Sequence, residues 1–232
     1  MESIEFKKYL TKYFAPEIRT LGFKGSGLKF SKISGNHLIY FIQIWPNKWG
    51  GDCYIDYAVH VDFLPEFTNL EIMDPKKMAA IDAVFRNSLG QEKFHYGANE
   101  TEAKEQINLM VEAVKNKGLN YFDRFNKFPE VLTDITLEDL KNGTWKWISH
   151  ITSPIGMALQ LSRINLFFEN PTTAAEFAKY GLSLIEGKRG SGLITMFDRL
   201  IAGDKNFIKP KYEIEKEKEE MENLFKQIGL KK

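Results

Sequence analysis

The feature of this sequence that most constrains its fold is a pair of neighbouring apolar segments between residues 37 and 64. Residues 37–45, HLIYFIQIW, are apolar at almost every position and rich in β-branched and aromatic side chains, which is typical of a strand buried on both faces. Residues 53–64 alternate apolar and polar side chains, as in an antiparallel strand with one face in the core. These two segments predict an antiparallel pair.

A further strand is expected on the N-terminal side of this pair. Leu28 and Phe30 follow Gly27, and Ser34-Gly35-Asn36 supplies turn residues before the long apolar run. Three sequential strands with short connections form a meander, and residues 93–98 can return as a fourth strand. The sequence therefore predicts an α+β fold whose N-terminal antiparallel sheet has three to four strands packed with helices.

Helical patterns flank the sheet. Residues 3–21 carry one apolar stripe, and Pro16 within it must kink or restart the helix because its ring clashes with the preceding turn. Asp74 and the proline after it can start a helix that extends through Asn87. Asn99 can cap another helix, which Gly118 is expected to end.

The second half of the chain is expected to be helical. We predict an α+β domain over residues 1–133, followed by a helical region over residues 134–232 that packs on it or forms a small subdomain. The charged segment 213–227 has a thin apolar stripe, so it either docks on the body or pairs with a partner. The other expected helices span residues 136–143, 153–168, 172–186 and 193–202.

Composition restricts the class of protein. The formal net charge is +1, which argues against a nucleic-acid-binding module and leaves a protein or a small ligand as the expected partner. The single cysteine, Cys53, cannot form an intramolecular disulfide. The first residues lack a basic segment followed by an apolar one, and the longest apolar run is far shorter than the roughly 20 residues that span a bilayer. These features predict a cytoplasmic protein without a membrane segment, and they leave the oligomeric state open.

Several short motifs in the N-terminal part occur together in a recognisable order. Leu21-Gly22-Phe23-Lys24 ends the first helix, Gly27-Leu28-Lys29-Phe30 follows, and Ile42-Gln43-Ile44 precedes the alternating strand at residues 54–63. Over roughly residues 4–130 the chain resembles a bacterial family named domain of unknown function 4304. The family has no established activity, so the resemblance implies no catalytic or binding residues, and the helical C-terminal part is an addition to it.

The polar face of the alternating strand provides the catalytic candidates. Asp56, His60 and Asp62 point the same way, with alternate residues about 6.6 Å apart along a strand. A carboxylate beside a histidine can orient it as a base or complete a metal site. The alternative is a solvated sheet face, where charged side chains are ordinary.

The loop between the two apolar segments provides the binding candidates. Trp45 and Trp49 flank a turn that also contains Lys48, and two indole rings can form a stacking platform for a sugar, a base or a peptide. The alternative is that one or both rings cover the edge of the core. Trp145 and Trp147 raise the same question more weakly.

Other motifs carry less chemistry. The sequence has no H-E-x-x-H, C-x-x-C or paired-histidine motif, so no metal and no cofactor is expected. Residues 187–192, GKRGSG, place cations before a helix as a phosphate site would. They match neither common phosphate-loop spacing, so a connection between helices is the favoured interpretation. Cys53 is expected to be a buried structural thiol.

Two hypotheses about function follow. The first is a non-catalytic intracellular binding or protein-interaction module, which predicts a contiguous exposed aromatic patch. The second is a small hydrolase-type enzyme that uses His60 with Asp56 or Asp62. It predicts a pocket over that sheet face, with a carboxylate within hydrogen-bonding distance of the histidine.

Overall fold

The computed structural model describes residues 2–47, 49–66, 72–88, 93–149, 152–186 and 191–205. Within these residues, six strands form one antiparallel sheet. The strands are β1 (Lys24–Ser26), β2 (Lys29–Ile33), β3 (Leu38–Pro46), β4 (Asp52–Val61), β5 (Phe85–Ser88) and β6 (Phe94–His95).

The strands follow one another in space as they do in sequence, in the order β1-β2-β3-β4-β5, and β6 also pairs with β4. The two apolar segments, β3 and β4, pair along their full length, with Ile42 opposite Tyr57. The predicted α+β fold with an N-terminal antiparallel meander is therefore confirmed. The sheet is larger than the three to four strands expected, since β1 and β5 were not anticipated.

The first helical segment contains a π turn immediately before its proline. Helix α1 (Ser3–Tyr9) leads into the turn Leu10–Phe14, which is followed by α2 (Ala15–Thr20). Ala15 donates its backbone N–H to the carbonyl oxygen of Leu10. This longer hydrogen-bond spacing widens the helix where the Pro16 ring would crowd the preceding turn, so the segment adapts to the proline without ending.

The helix capped by Asn99 is longer than predicted. Asn99 Oδ1 accepts the backbone N–H of Glu102 at 3.0 Å and begins α3 (Glu100–Ala113), which continues through a π turn (Val114–Gly118) into α4 (Leu119–Asp123). The prediction that Gly118 ends the helix is wrong. A Cβ atom at Gly118 would lie 2.5 Å from the Tyr57 ring, so glycine is needed here for close packing of the helix on β4.

The predicted helix over residues 74–87 is also wrong. The segment makes a turn, then a short 3₁₀ helix (Ala80–Asp82), and then β5. Met78, Ala80 and Ala83 pack on the sheet, and β5 pairs with β4. These tertiary contacts outweigh the local helix-start signal, because burial and strand pairing involve residues far away in the sequence.

The second half of the described chain is helical, as expected, and its longest helix is buried almost throughout. Phe167 stacks on Phe63 with ring centroids 3.7 Å apart, so this half packs against the end of the sheet. The predicted helix over residues 213–227 lies outside the described residues. The helices of this half are α5 (Glu130–Thr133), α6 (Leu137–Asn142), α7 (Pro154–Phe167), α8 (Pro171–Ser183) and α9 (Ile194–Ile201).

Candidate functional site

The sheet has two faces with different coverings. Side chains such as Tyr40 and Tyr57 point toward α4, where both contact the ring of Phe122. The opposite face, which we call the second face, carries Phe41 and Ala58 in a small apolar cluster with residues of the 72–83 segment. The catalytic candidates of β4 lie on the second face.

The polar side chains on the second face are buried, contrary to the prediction. Asp56 is 2% exposed and His60 is 1% exposed, whereas the alternating pattern predicted an open polar surface. The reason is that the segment containing Met78 and Ala80 folds over these positions. The face is therefore an interior surface, and its polar groups need partners inside the protein.

Asp56 has such a partner in Arg86. Its Oδ2 accepts a hydrogen bond from Arg86 Nη2 at 3.0 Å, and the two charges form an ion pair. Arg86 lies on β5, opposite Ala58 of β4. The pair therefore ties β5 to β4, and it supplies the counter-charge that a buried carboxylate requires.

His60 makes no hydrogen bond to either carboxylate. Its Nε2–H donates to the carbonyl oxygen of Leu64 at 3.0 Å, and its buried Nδ1 has no hydrogen-bond partner in the described structure. Burial lowers the pKa of His60 to about 4, because the charged imidazolium is poorly solvated there. The ring is therefore neutral at physiological pH, and no carboxylate orients it.

Asp62 lies just beyond the end of β4 and pairs with a different histidine. His37 Nδ1 lies 2.9 Å from Asp62 Oδ1, and the His37 ring meets the rings of Phe63 and Phe167 edge-on. The structure thus places Asp56, His60 and Asp62 in three separate local arrangements. The contact between His60 and Asp56 or Asp62 that the hydrolase hypothesis requires is not formed in the described structure.

The loop between β3 and β4 presents one of its two indole rings. Trp49 is 86% exposed, and its backbone N–H is held by Asn47 Oδ1 at 3.0 Å. Trp45 is half-buried at the end of β3, which agrees with a ring that covers the core edge. Lys48 lies outside the described residues. Trp49 stays a predicted contact residue.

The remaining candidates are Trp145, Trp147, Cys53 and the GKRGSG segment. Trp145 is buried and donates its Nε1–H to the Leu140 carbonyl oxygen at 3.2 Å, while Trp147 is partly exposed. Burial raises the pKa of the Cys53 thiol to about 12, so the thiol stays protonated. Most of the GKRGSG segment, residues 187–190, lies outside the described part.

A cleft of about 270 Å³ lies where the second face meets the turn before the 3₁₀ helix. Lys24 of β1 and Lys29 of β2 approach it from the sheet, and Lys76 and Lys77 approach it from the turn. All four side chains are exposed. We call this feature the lysine-rimmed cleft.

These four lysines form no ion pair with any carboxylate in the described segments. Lys12 and Lys115, by contrast, pair with Glu100 and Glu17 at 2.8 and 3.5 Å. The acid nearest in sequence, Asp74, accepts the backbone N–H of Lys76 at 3.0 Å. The rim therefore concentrates positive charge that the described residues do not neutralise, which favours an anion.

The floor of the cleft contains a buried polar side chain. Gln43 is 5% exposed, and its Oε1 accepts the backbone N–H of Ala80 at 3.1 Å. This bond fixes the orientation of the carboxamide and leaves Nε2 without a hydrogen-bond partner among the described residues. Gln43 lies between Lys29 and Asp56 in the cross-strand register. The cleft is thus one strand away from the predicted catalytic candidates.

Sequence reasoning missed the cleft because its residues come from three separate segments. Lys24 follows the first helix, Gln43 sits within an apolar strand, and Lys76 and Lys77 lie in a segment predicted to be helical. The adjacent lysines were a visible signal of local positive charge. Only the register of β1, β2 and β3, together with the hydrogen bond from Ala80 to Gln43, shows that Lys24 and Lys29 lie near them.

A second cleft of about 300 Å³ lies beside α3 and β6. Its lining includes Lys93 and Glu112, and Lys93 also lies 3.8 Å from Asp52. Because opposite charges accompany each other here, this cleft has no comparable preference for an anion. The lysine-rimmed cleft is the better candidate for a ligand site.

The described residues bring together no group of three or more His, Cys, Asp or Glu side chains that could hold a metal ion. Within the same segments, no helix combines the length and apolar character needed to cross a membrane.

The strands and helices of the N-terminal half define a class of protein, an α+β domain with an antiparallel meander. Residues 14–124 match the family model described as "Domain of unknown function (DUF4304)". The resemblance found in the motifs of the N-terminal part is therefore confirmed over these residues. No curated protein and no solved structure matches the chain.

Proposed function

We propose that this chain is a non-catalytic binding module that holds an anionic ligand in the lysine-rimmed cleft. The observation that carries the proposal is the convergence of four lysines, without carboxylate partners in the described structure, on a cleft of about 270 Å³. Low-dielectric walls beside like charges strengthen the local field and raise the concentration of an oppositely charged ligand. Such a site binds without needing a catalytic group.

The geometry gives the hydrolase alternative less support. A general base must reach the proton that it removes, but His60 is buried and donates its Nε2–H to the Leu64 carbonyl oxygen. Asp56 is engaged by Arg86. We also retain the cytoplasm as the proposed location, because the buried, unpaired Cys53 suits a reducing compartment.

The proposal is tested by thermal unfolding when chloride is replaced by citrate at constant ionic strength. A ligand that binds only the folded state raises the melting temperature, so citrate should stabilise the natural protein by several degrees. The double variant Lys29→Gln/Lys77→Gln should lose most of this increase. The charge-matched control Lys8→Gln/Lys32→Gln should keep it, because Lys32 lies over Phe23 on the opposite face.

The comparison between the two double variants decides the result. Equal stabilisation of both by citrate would place the anion effect outside the cleft and contradict the proposal. If both double variants lose the stabilisation by citrate equally, the effect is one of net charge in general, which also contradicts the proposal.

A further inference from the structure

We propose that the ligand of the lysine-rimmed cleft is a small phosphomonoester with an apolar body. This inference rests on the proposed function and adds the chemical class of the ligand. Three properties of the cleft carry it, namely the kind of donors on its rim, the fixed amide in its floor, and its size and apolar lining.

The rim suits a phosphate group better than a carboxylate. Lysine ammonium groups act as compact point charges with several rotatable N–H donors, and lysine is a common phosphate ligand in this role. Lys24 and Lys29 come from one side of the cleft, and Lys76 and Lys77 from the other. A phosphate dianion has three terminal oxygens directed to different sides, so it can meet donors from both walls, whereas a carboxylate has two oxygens in one plane.

The floor adds a neutral donor at a fixed position. Gln43 is almost fully buried, and the Ala80 backbone N–H holds its Oε1. The Nε2 of the same carboxamide is therefore a pre-oriented donor that needs no rearrangement to bind an oxygen. An oxygen of an anion in the cleft could accept a hydrogen bond from this amide N–H.

The volume and the apolar lining of the cleft limit the part of the ligand that carries the phosphate. A volume of about 270 Å³ lies just below the range of roughly 300–1,000 Å³ for small-molecule sites, so the ligand is small. Phe41, Met78 and Ala80 line the cleft beside the polar groups and can pack against an apolar body. The described lining contains no histidine, cysteine or carboxylate, which fits retention of the phosphate ester rather than its hydrolysis.

The test uses isothermal titration calorimetry of the full chain with three probes. Phenyl phosphate carries the phosphate group and a ring, inorganic phosphate lacks the ring, and benzoate replaces the phosphate by a carboxylate. We expect phenyl phosphate to bind about tenfold more tightly than either of the others, because a charge-assisted hydrogen bond or a buried ring each contributes about that factor.

Two variants in the cleft and one control outside it locate the binding site. Lys29→Gln/Lys77→Gln should weaken the binding of phenyl phosphate by about tenfold or more, whereas Lys8→Gln/Lys32→Gln should change it by less than about twofold. Gln43→Glu keeps an oxygen for the Ala80 N–H but replaces the amide donor by a carboxylate, so it should remove most binding. If Gln43→Glu does not fold, as judged by its melting curve, the lysine variants carry the test.

The outcomes separate this inference from the proposed function. Benzoate that binds as tightly as phenyl phosphate, with the same dependence on the cleft lysines, would overturn the phosphate assignment and leave the anion-binding module standing. The same holds if phenyl phosphate does not bind while citrate still stabilises the protein through these lysines. Binding of phenyl phosphate that is unaffected by all cleft variants would overturn both.

Discussion

His60 and Asp56 lie on the same face of β4 with almost no exposed surface, yet they have different partners. Asp56 has a positive charge beside it in Arg86, whereas His60 has only the carbonyl oxygen of Leu64. A carbonyl oxygen can accept a hydrogen bond from the N–H of neutral imidazole but offers no full counter-charge to imidazolium. His60 therefore acts as a neutral packing residue, and its burial lowers the free energy of unfolding at low pH.

This difference predicts how the free energy of unfolding depends on His60. The folded pKa of about 4 lies below the ordinary 6.5, so between these values the unfolded chain binds a proton that the folded chain does not. Stability should fall as the pH drops through this window, by about 2 to 3 kcal/mol for this group. The free energy of guanidinium unfolding can be measured at pH 7 and at pH 4.5. Its decrease between these two values should be about 2 to 3 kcal/mol smaller for His60→Gln than for the natural protein.

His95→Gln, at an exposed histidine, is the matched control for the loss of an imidazole ring. Glutamine at position 60 keeps an N–H donor for the Leu64 carbonyl oxygen, so the comparison isolates the titration. Parallel stability curves for the natural protein and His60→Gln would contradict the assignment.

At this scale, the sequence revealed which side chains share a face but not what covers them. The alternation in β4 correctly placed Asp56 and His60 together. It could not show that Met78 and Ala80, some 20 residues later, bury that face. Gln43 had no visible signal, because a single amide within an apolar strand acquires meaning only from its contact with Ala80.

At the scale of elements, long periodic patterns predicted well and local stop signals did not. The apolar run of β3 and the alternation of β4 depend on burial, which dominates the energy of a strand, so both were identified. Gly118 was read as a helix end because glycine often occupies that position. Its actual role depends on Tyr57 across the interface, which no local pattern contains.

The contact between the helix and β4 predicts the effect of Gly118→Ala. Alanine favours a helix by about 1 kcal/mol over glycine, but its Cβ would lie 2.5 Å from the Tyr57 ring. We expect the collision to dominate, with a net destabilisation of about 1 to 3 kcal/mol in guanidinium unfolding. Gly35→Ala, with no atom within 4 Å of the new Cβ, should be close to neutral. A stabilised Gly118→Ala variant would show that the helix tolerates the methyl group by shifting.

At the scale of the whole molecule, the two predicted regions, 1–133 and 134–232, share contacts in the described structure. Tyr121 donates its hydroxyl hydrogen to the Ile148 carbonyl oxygen at 2.8 Å, and Thr152 Oγ1 donates to the Val84 carbonyl oxygen at 3.1 Å. Buried residues of both regions belong to one hydrophobic cluster. These contacts favour a helical region that packs on the α+β domain over an independent subdomain.

Shared packing of this kind predicts a single unfolding transition. Far-ultraviolet circular dichroism, which follows both regions, should coincide with tryptophan fluorescence throughout guanidinium unfolding. Phe167→Ala removes the ring stacked on Phe63 and should lower stability by about 2 to 3 kcal/mol, shifting both signals together because the contact joins the regions. Leu109→Ala, at a side chain that is 55% exposed on α3, should shift them little. Two separated transitions, or a Phe167→Ala shift in only one signal, would instead mean that the helical region unfolds as a unit of its own.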